Sequence, residues 1–287
     1  MQALKTKAAA ALAAATFLFL YGPVLARLYQ DWMHDDNYSH GILIIPLALY
    51  FAWERRHRVA AEPPNPSAFG LVVVSVGLIP LLAGLLGAEL FLTRISLLIV
   101  LTGIILFLRG WPTLRVLAFP LGFLLLMIPI PAILFNQIAF PLQLLASKAG
   151  EAGLTAAGVP VLREGNVMIL ANTTLEVAEA CSGIRSLISL LTLGIVFGYF
   201  TDPRPGVRVA IAAATVPIAI VTNGLRVAGT GIAAHYIGPE AAEGFFHTFS
   251  GWLVFVMAFV LIFLLTRILL RVMPAPVSHA GVSPAVV

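Results

Sequence analysis

Three side chains in the second half of the chain carry groups that could act together in nucleophilic catalysis: Cys181, Arg226 and His247. A cysteine attacks a carbonyl carbon as its thiolate, and a helix N-terminus or a nearby cation lowers the pKa of the thiol. Arg185 follows Cys181 by four residues, which places both on one face of a helix predicted to begin near the cysteine. A lone buried cysteine is more often a small hydrophobic residue, so the thiol alone does not predict catalysis.

Arg226 lies within a long apolar run. An arginine at the centre of a membrane-spanning helix costs roughly 2.5–3.5 kcal/mol on insertion scales, so it requires a carboxylate partner or a substrate. Asn223 stands three residues earlier and is predicted to face the same way, while Gly224, Gly229 and Gly231 predict close packing of this helix. A purely structural ion pair is the alternative interpretation of Arg226.

His247 precedes the last apolar run. Histidine titrates near neutral pH and is the usual general acid or base, but a single histidine at this place is also typical of a membrane interface. His34, His40 and His235 compete for the same role, and none of the four has the HxxxH or HExxH spacing of a metal site. We therefore predict no metal and no cofactor. Cysteine–histidine catalysis with a cation at the oxyanion requires the thiol, the imidazole and the guanidinium together.

The composition places these residues in a membrane. Of the 287 residues, 60% are hydrophobic and 10% are charged, against roughly 25% charged residues in soluble proteins. The mean hydropathy is +0.99. These values exclude a water-soluble globule and a disordered chain, and a single cysteine excludes an internally disulfide-bonded module. The net charge of +4 is explained by the excess of basic residues in cytoplasmic loops, so we predict the lipid bilayer and no nucleic acid as a partner.

Apolar runs that approach or reach the length of a bilayer recur along the whole chain. They predict an all-α polytopic membrane protein with about eight transmembrane helices, seven or nine being the alternatives. The second run is short. The predicted spans are Ala8–Leu28, Gly41–Trp53, Phe69–Gly87, Leu90–Leu108, Leu114–Ile130, Gly183–Thr201, Val207–His235 and Thr248–Leu270.

Basic residues orient these spans. With both termini in the cytoplasm, 11 lysines and arginines fall on the inner side: Lys5, Lys7, Arg55, Arg56, Arg58, Arg109, Arg115, Arg204, Arg208, Arg267 and Arg271. Four fall on the outer side: Arg27, Arg94, Lys148 and Arg163. Arg185 and Arg226 are left aside as residues within the bundle. Among the acidic residues, three fall on the inner side (Glu54, Glu62 and Asp202) and the other ten, including Asp31, on the outer side. Short cytoplasmic loops are enriched in lysine and arginine. We therefore predict a multi-pass protein of a bacterial inner membrane, with the three catalytic candidates at the periplasmic or exterior face. The first apolar run is predicted to be a retained signal anchor.

One outer segment, at about residues 131–180, contains no obvious full span. Ala132–Ala149 has apolar residues at helical spacing with polar residues between them, which predicts helices in the membrane interface. Val159–Ala178 alternates around two turn sequences, which predicts a small β-hairpin or three-stranded meander just before Cys181. We expect one membrane domain over residues 1–273 that includes this outer-face insertion, followed by a disordered cytoplasmic tail at 274–287.

The motifs around the catalytic candidates resemble those of the exosortases, a family related to the archaeosortases. The resemblance covers nearly everything from about Tyr21 to Arg271. Its motifs are Glu179-Ala180-Cys181-Ser182-Gly183-Ile184-Arg185, Asn223-Gly224-Leu225-Arg226-Val227, His247 ahead of Gly251-Trp252, and Tyr38-Ser39-His40-Gly41 at the second span.

The resemblance implies a membrane-embedded cysteine peptidase of transpeptidase type that forms a thioester. Its substrates would be exported proteins with a C-terminal sorting signal of the PEP-CTERM kind, made of a short motif, a transmembrane helix and a basic tail. Residue by residue, Cys181 matches the nucleophile, Arg226 the oxyanion-stabilising arginine and His247 the acid/base. The acceptor would be an unidentified amine or glycan, or water. Supporting or substrate-binding candidates are Arg185, Asn223, Ser182 and His40.

Two other functions stay open on the residues alone. A transporter or flippase for a lipid-linked or anionic substrate would use Arg226 to bind a headgroup, but it would leave Cys181 without a role. A membrane acyltransferase acting on a lipid-linked sugar is the second alternative. Replacement of Cys181 by alanine separates thiol catalysis from transport or binding.

Overall fold

A computed structural model of the protein describes residues 2–171, 173–177, 184–238 and 244–273. Most of these residues are helical, with one small sheet, as predicted. The chain divides into two compact units, of which unit 1 ends at Phe135 and unit 2 begins at Asn136. The predicted tail at 274–287 lies outside the described residues.

Unit 1 consists of helices and a single 3-10 turn at Leu124–Met127. Its helices are α1 (Gln2–His34), α2 (Gly41–Glu54), α3 (Arg56–Ala61), α4 (Phe69–Leu86), α5 (Leu90–Arg109) and α6 (Trp111–Phe123). Helix α7 (Ala132–Ala156) begins at the end of unit 1 and runs into unit 2. Unit 2 continues with β1 (Val161–Glu164), β2 (Val167–Leu170), β3 (Thr174–Glu176), α8 (Ile184–Thr201), α9 (Pro205–Tyr236) and α10 (Gly244–Val272).

Several of these helices are long and apolar enough to cross a membrane, which confirms a polytopic membrane protein. Among the described residues, five helices are long and apolar enough on their own, and a sixth span results if the broken pair α6 and α7 counts as one. The five are Ala8–His34, Phe69–Leu86, Leu90–Arg109, Pro205–Tyr236 and Phe249–Val272. Two shorter apolar helices, Gly41–Glu54 and Arg185–Thr201, stand where the second and sixth spans were predicted. The total of eight spans stays a prediction.

The fifth predicted span, Leu114–Ile130, is not one continuous helix. Helix α6 ends at Phe123, and after the 3-10 turn Ile128 is extended, with φ −90° and ψ 118°. A proline disfavours the helical conformation of the residue before it. Pro129 therefore explains why the helix ends here and does not reach Ile130.

Helices α4 and α5 pack closely because glycines line one face of α4. Gly70, Gly77 and Gly84 recur every seven residues, and a Cβ atom on them would lie 2.3, 2.8 and 2.7 Å from atoms of α5 or of the turn before it. Small residues let helix backbones approach in this way inside membranes. The turn after α5 also requires a glycine, because Gly110 has φ +84° and a Cβ there would lie 1.8 Å from the carbonyl oxygen of Asn65.

The three strands form the predicted meander, in the order β1-β2-β3 with antiparallel pairing throughout. The β1–β2 turn is Gly165-Asn166, and Gly165 has the φ of +66° that the first central position of a type II′ turn requires. Ser147 Oγ of α7 lies 3.0 Å from the Gly165 carbonyl oxygen. One face of the sheet packs in a core with α7 and α9 that contains Ala146, Leu154, Val159, Met168, Leu170, Val177 and Val227. The meander is therefore anchored to the helices that carry the candidate site.

Close packing explains two of the three glycines singled out in α9. A Cβ on Gly224 would lie 2.6 Å from Ala149 Cβ, and one on Gly231 would lie 2.9 Å from Leu154. Gly229 differs from the prediction, because within the described part of the chain no atom beyond its neighbours and the helix's own backbone lies within 4 Å of its Cβ position. Gly229 instead lines an open cavity, which is part of the candidate site described below.

Helices α8, α9 and α10 enclose a second core that fixes the start of α9 against both neighbours. The buried residues are Leu190, Val207, Ile211, Ala219, Ala258 and Ile262. At the end of this core, Arg204 forms an ion pair with Asp202 at 2.8 Å and donates to the Met273 carbonyl oxygen at 2.7 Å. The α8–α9 turn and the last turn of α10 are thereby joined.

Candidate active site

Arg226 is positioned between α9 and α10. Its Nε lies 3.3 Å from the hydroxyl oxygen of Ser250 and donates to it. A Cβ on the next residue, Gly251, would lie 3.7 Å from Arg226 Nη2. The guanidinium therefore lies against the early turns of α10, beside Ser250 and Gly251.

A cavity of about 380 Å³ opens beside this guanidinium. Arg226, Thr230 and Ser250 contribute its polar groups, and the remaining lining is mainly apolar, including Leu253 and Met257. Pockets with apolar walls and a few converging polar groups are the usual form of a substrate site. A cation in such surroundings interacts more strongly with developing negative charge than it would in water.

Asn223 occupies a different environment from Arg226, although it was predicted to face the same way. Asn223 is 2% exposed and is not among the residues that line the cavity. It lies next to Gly224, on the part of α9 that packs closely. Its buried position indicates a part in holding α9 in place, while direct substrate binding by Asn223 stays a prediction.

The nucleophile candidate Cys181 and its neighbour Ser182 lie outside the described residues. Helix α8 begins at Ile184, three residues after Cys181, and Arg185 lies in its first turn. Arg185 is half-buried. The shared helical face of Cys181 and Arg185 stays a prediction.

His247 lies in the first turn of α10, which begins at Gly244. The backbone thus places position 247 one helical turn before Ser250, the residue that contacts Arg226. The competing His235 lies in the last turn of α9, where its ring stands 4.8 Å from that of Tyr236.

His40 belongs to unit 1 and has partners there. Its Nε2 donates to the Leu126 carbonyl oxygen at 3.3 Å, which fixes the proton on Nε2. Trp32 Nε1 donates to the next carbonyl oxygen, that of Met127, at 2.9 Å. Burial lowers the pKa of His40, and the bond to Leu126 opposes this only in part. His40 is therefore a neutral imidazole that holds the 3-10 turn after α6 in place.

A family model supplies the identity that the geometry alone does not. The model of the transmembrane exosortases (Exosortase_EpsH) matches residues 32–264, which is most of the chain. The chain belongs to the transmembrane exosortase family. The matched range includes Cys181, Arg226 and His247, and the resemblance noted from the motifs is confirmed at the level of the family. Comparison with curated proteins and with solved structures finds no match.

Two features of this exosortase were missed in the sequence. Ser250 was not considered, although it stands three residues after His247 and therefore follows the helical spacing of the candidate face. Arg94 was counted only as an outer-side charge, and neither its burial, at 3% exposed, nor its ion pair with Asp31 was predicted. Its place inside an apolar run was the same signal that had singled out Arg226.

The exosortase shows no candidate metal centre in the part of the chain that is described. Among those residues, no group of three or more histidine, cysteine, aspartate or glutamate side chains converges.

Proposed function

We propose that this exosortase is a cysteine peptidase of transpeptidase type, which cleaves the C-terminal sorting signals of exported proteins at the outer face of a bacterial inner membrane. The observation that carries the proposal is the position of Arg226. Its guanidinium lies beside a cavity between two membrane-spanning helices and contacts α10 one turn after His247. Family membership supports the processing of sorting signals.

The chemistry follows from the three candidate groups. The Cys181 thiolate attacks the scissile carbonyl carbon, and as the C–S bond forms, the carbonyl oxygen takes up negative charge that Arg226 stabilises. His247 gives a proton to the leaving amine while the C–N bond breaks, which leaves a thioester. An amine or water then attacks the thioester carbon, His247 accepts its proton, and the thiolate is released.

Contacts within each unit agree with the orientation proposed from the basic residues. Asp31 and Arg94, both assigned to the outer side, form an ion pair. Arg109, assigned to the inner side, donates at 2.8 Å to the carbonyl oxygen of Val59. Val59 belongs to α3, which also carries the inner-side residues Arg56 and Arg58. The bond from Arg204 to the end of α10 likewise joins two segments assigned to the inner side. Each pairing joins segments that the proposed topology assigns to the same side of the membrane, which supports that orientation.

Co-expression with a substrate tests the proposal. The substrate is an exported reporter that ends in a short motif, a transmembrane helix and a basic tail, and its C-terminus is read by mass spectrometry. Wild-type protein is expected to cut within the motif, whereas Cys181→Ala, expressed at the same level in the membrane, is expected to leave the reporter intact. An added mass on the new C-terminus would identify an acceptor.

Equal cleavage by both proteins would show that Cys181 is not the nucleophile and would contradict the mechanism. If neither protein cuts any of a set of such reporters, binding of an anionic headgroup by Arg226 becomes the better interpretation.

A further inference from the structure

Strand β3 is an edge strand of the meander, and among the described residues it is the last regular element that precedes Cys181 in the sequence. It pairs with β2 on one side, and no strand pairs with its other side among the described residues. An exposed strand edge presents unpaired N–H and C=O groups that can template another extended chain.

The hydrogen bonds between β2 and β3 identify which groups face this edge. Leu170 N donates to the Thr173 carbonyl oxygen, and Val177 N donates to the Asn166 carbonyl oxygen, both at 2.9 Å. In an antiparallel ladder, alternate residues use their backbone groups toward the same neighbour. Residues 173, 175 and 177 therefore point toward β2, and the N–H and C=O groups of Thr174 and Glu176 point to the open edge.

Strand β3 is three residues long and carries the charged Glu176, and it lacks the other common features that protect an edge strand. Natural edge strands are commonly blocked by proline, lysine or a bulge, and β3 (Thr174–Glu176) contains none of them. Thr174 and Glu176 are both exposed. At the opposite edge, by contrast, Arg163 of β1 folds over its own hairpin: its side chain pairs with Glu151 at 2.7 Å and donates to the Gly165 carbonyl oxygen at 2.9 Å.

The edge is also close to the nucleophile along the chain. Glu176 precedes Cys181 by five residues, and five residues span at most about 18 Å when fully extended. A substrate peptide that runs along β3 therefore lies no more than about 18 Å from residue 181 along the chain.

We propose that the β3 edge binds the substrate by strand addition: an extended segment of the substrate, next to its scissile bond, pairs with the backbone of Thr174 and Glu176. This inference rests on the proposed function and adds to it the mode of substrate binding. Backbone bonds of this kind give affinity with little dependence on sequence, as in other β-strand additions. The scissile carbonyl is thereby delivered to Cys181 in an extended conformation.

Side chains on the exposed face of the sheet add a preference. Leu162, Ile169 and Thr174 are neighbours across the three strands, and the next row begins with Glu164 and ends with Glu176. Cross-strand neighbours on one face interact, and opposite charges stabilise such pairs. A substrate strand added at β3 is therefore expected to favour an aliphatic or β-branched residue beside Thr174 and a basic residue beside Glu176.

Disulfide crosslinking tests the docking without requiring catalysis. Cys181→Ala removes the only cysteine of the chain, and Thr174→Cys is added to it. The reporter described above carries single cysteines at successive positions on either side of its motif, and crosslinks are formed in membranes with a mild oxidant. Strand addition is expected to give crosslinks at every second reporter position, because alternate side chains of a strand share one face.

The matched control is Leu162→Cys in the same background, which is on the same face of the sheet but in the far strand β1. It is expected to give no alternating pattern. Crosslinking at Thr174→Cys without alternation, no crosslinking at all, or the same pattern from Leu162→Cys would each overturn the inference, whether or not Cys181 proves to be the nucleophile.

Proline substitutions test the backbone bonds. Thr174→Pro and Glu176→Pro each remove one N–H group that faces the open edge and leave the bonds to β2 in place. Each is expected to lower kcat/KM about threefold to tenfold, mainly through KM, the loss typical of one hydrogen bond. Thr174→Val and Glu176→Gln keep the N–H group and should lose less. Wild-type kcat/KM in both proline variants, or equal losses in the controls, would contradict strand addition.

Discussion

The two units of the molecule each place an arginine inside an apolar helix, and the two arginines have different surroundings. Arg94 of unit 1 is 3% exposed and forms an ion pair with Asp31. Arg226 of unit 2 is half-buried, donates to the hydroxyl of Ser250 and lines a cavity of about 380 Å³. Both satisfy the rule that an intramembrane arginine needs a reason. A carboxylate neutralises Arg94, and we propose that the cavity gives Arg226 access to a substrate.

The largest effect that this comparison predicts is on catalysis. Arg226→Ala is expected to lower the rate of reporter cleavage by about 10²–10³-fold, as the removal of one oxyanion donor does. Cleavage is measured by the initial rate of new C-terminus formation in membranes. The matched control is Arg267→Ala, which removes an exposed arginine of α10 that stacks on Phe263 and should keep the wild-type rate. Wild-type cleavage by Arg226→Ala would remove Arg226 from the mechanism.

Loss of Arg94 is expected to lower the stability of the protein and to leave catalysis unchanged. Arg94→Ala leaves the Asp31 carboxylate without its cation, and because Asp31 is 35% exposed, water replaces part of the lost interaction. We expect a loss of about 1–3 kcal/mol in the free energy of unfolding, measured by denaturation in detergent, with the cleavage rate per folded molecule unchanged. Asp31→Asn added to Arg94→Ala should restore part of the stability. If the double variant is no more stable than Arg94→Ala, the ion pair does not account for the loss.

Some features of the fold could be predicted from the sequence. Helix positions could, because the hydrophobic length of a span is a local property, and so could the meander, because residues around Gly165-Asn166 alternate over short distances. The end of α6 was signalled by Pro129 but was outweighed by the apolar run around it. The short helix α3 is not among the predicted elements, because six residues with three basic side chains carry almost no apolar pattern.

Tertiary partners were beyond the reach of sequence patterns. Asp31 and Arg94 are 63 residues apart, and nothing local in either segment specifies the other. Arg226 was singled out as a residue in need of a partner. Neither Ser250 nor the cavity could be inferred from one helix, since both depend on how α9 packs against α10. Motif recognition identified the family, whereas the partners of each charge came from the fold.

Ser250 sharpens the contrast between the two arginines. If the hydroxyl only orients a guanidinium that acts on the substrate, Ser250→Ala should lower kcat about threefold to tenfold, the range expected for one hydrogen bond, and leave the unfolding free energy nearly unchanged. Thr230 lines the same cavity, and the control variant Thr230→Ser should have little effect on kcat. A large loss of stability in Ser250→Ala, with normal kcat in the folded fraction, would instead make the Arg226–Ser250 contact structural, like that of Arg94.

The smallest expected effect is on the pH dependence of unfolding, through His40 of unit 1. Burial lowers the pKa of His40 in the folded protein, so the unfolded chain takes up a proton first as the pH falls. The contribution of His40 is therefore fully present above the unfolded pKa of about 6.5 and is lost as the pH falls through the range between that value and the lower folded pKa. His40→Gln keeps a donor for the Leu126 carbonyl oxygen and should reduce the acid sensitivity of unfolding, measured in detergent between pH 5 and 8. The pH dependence of cleavage should persist in this variant, because His247 supplies it. If cleavage by His40→Gln no longer depended on pH, His40 of unit 1 would be the better candidate for the acid/base.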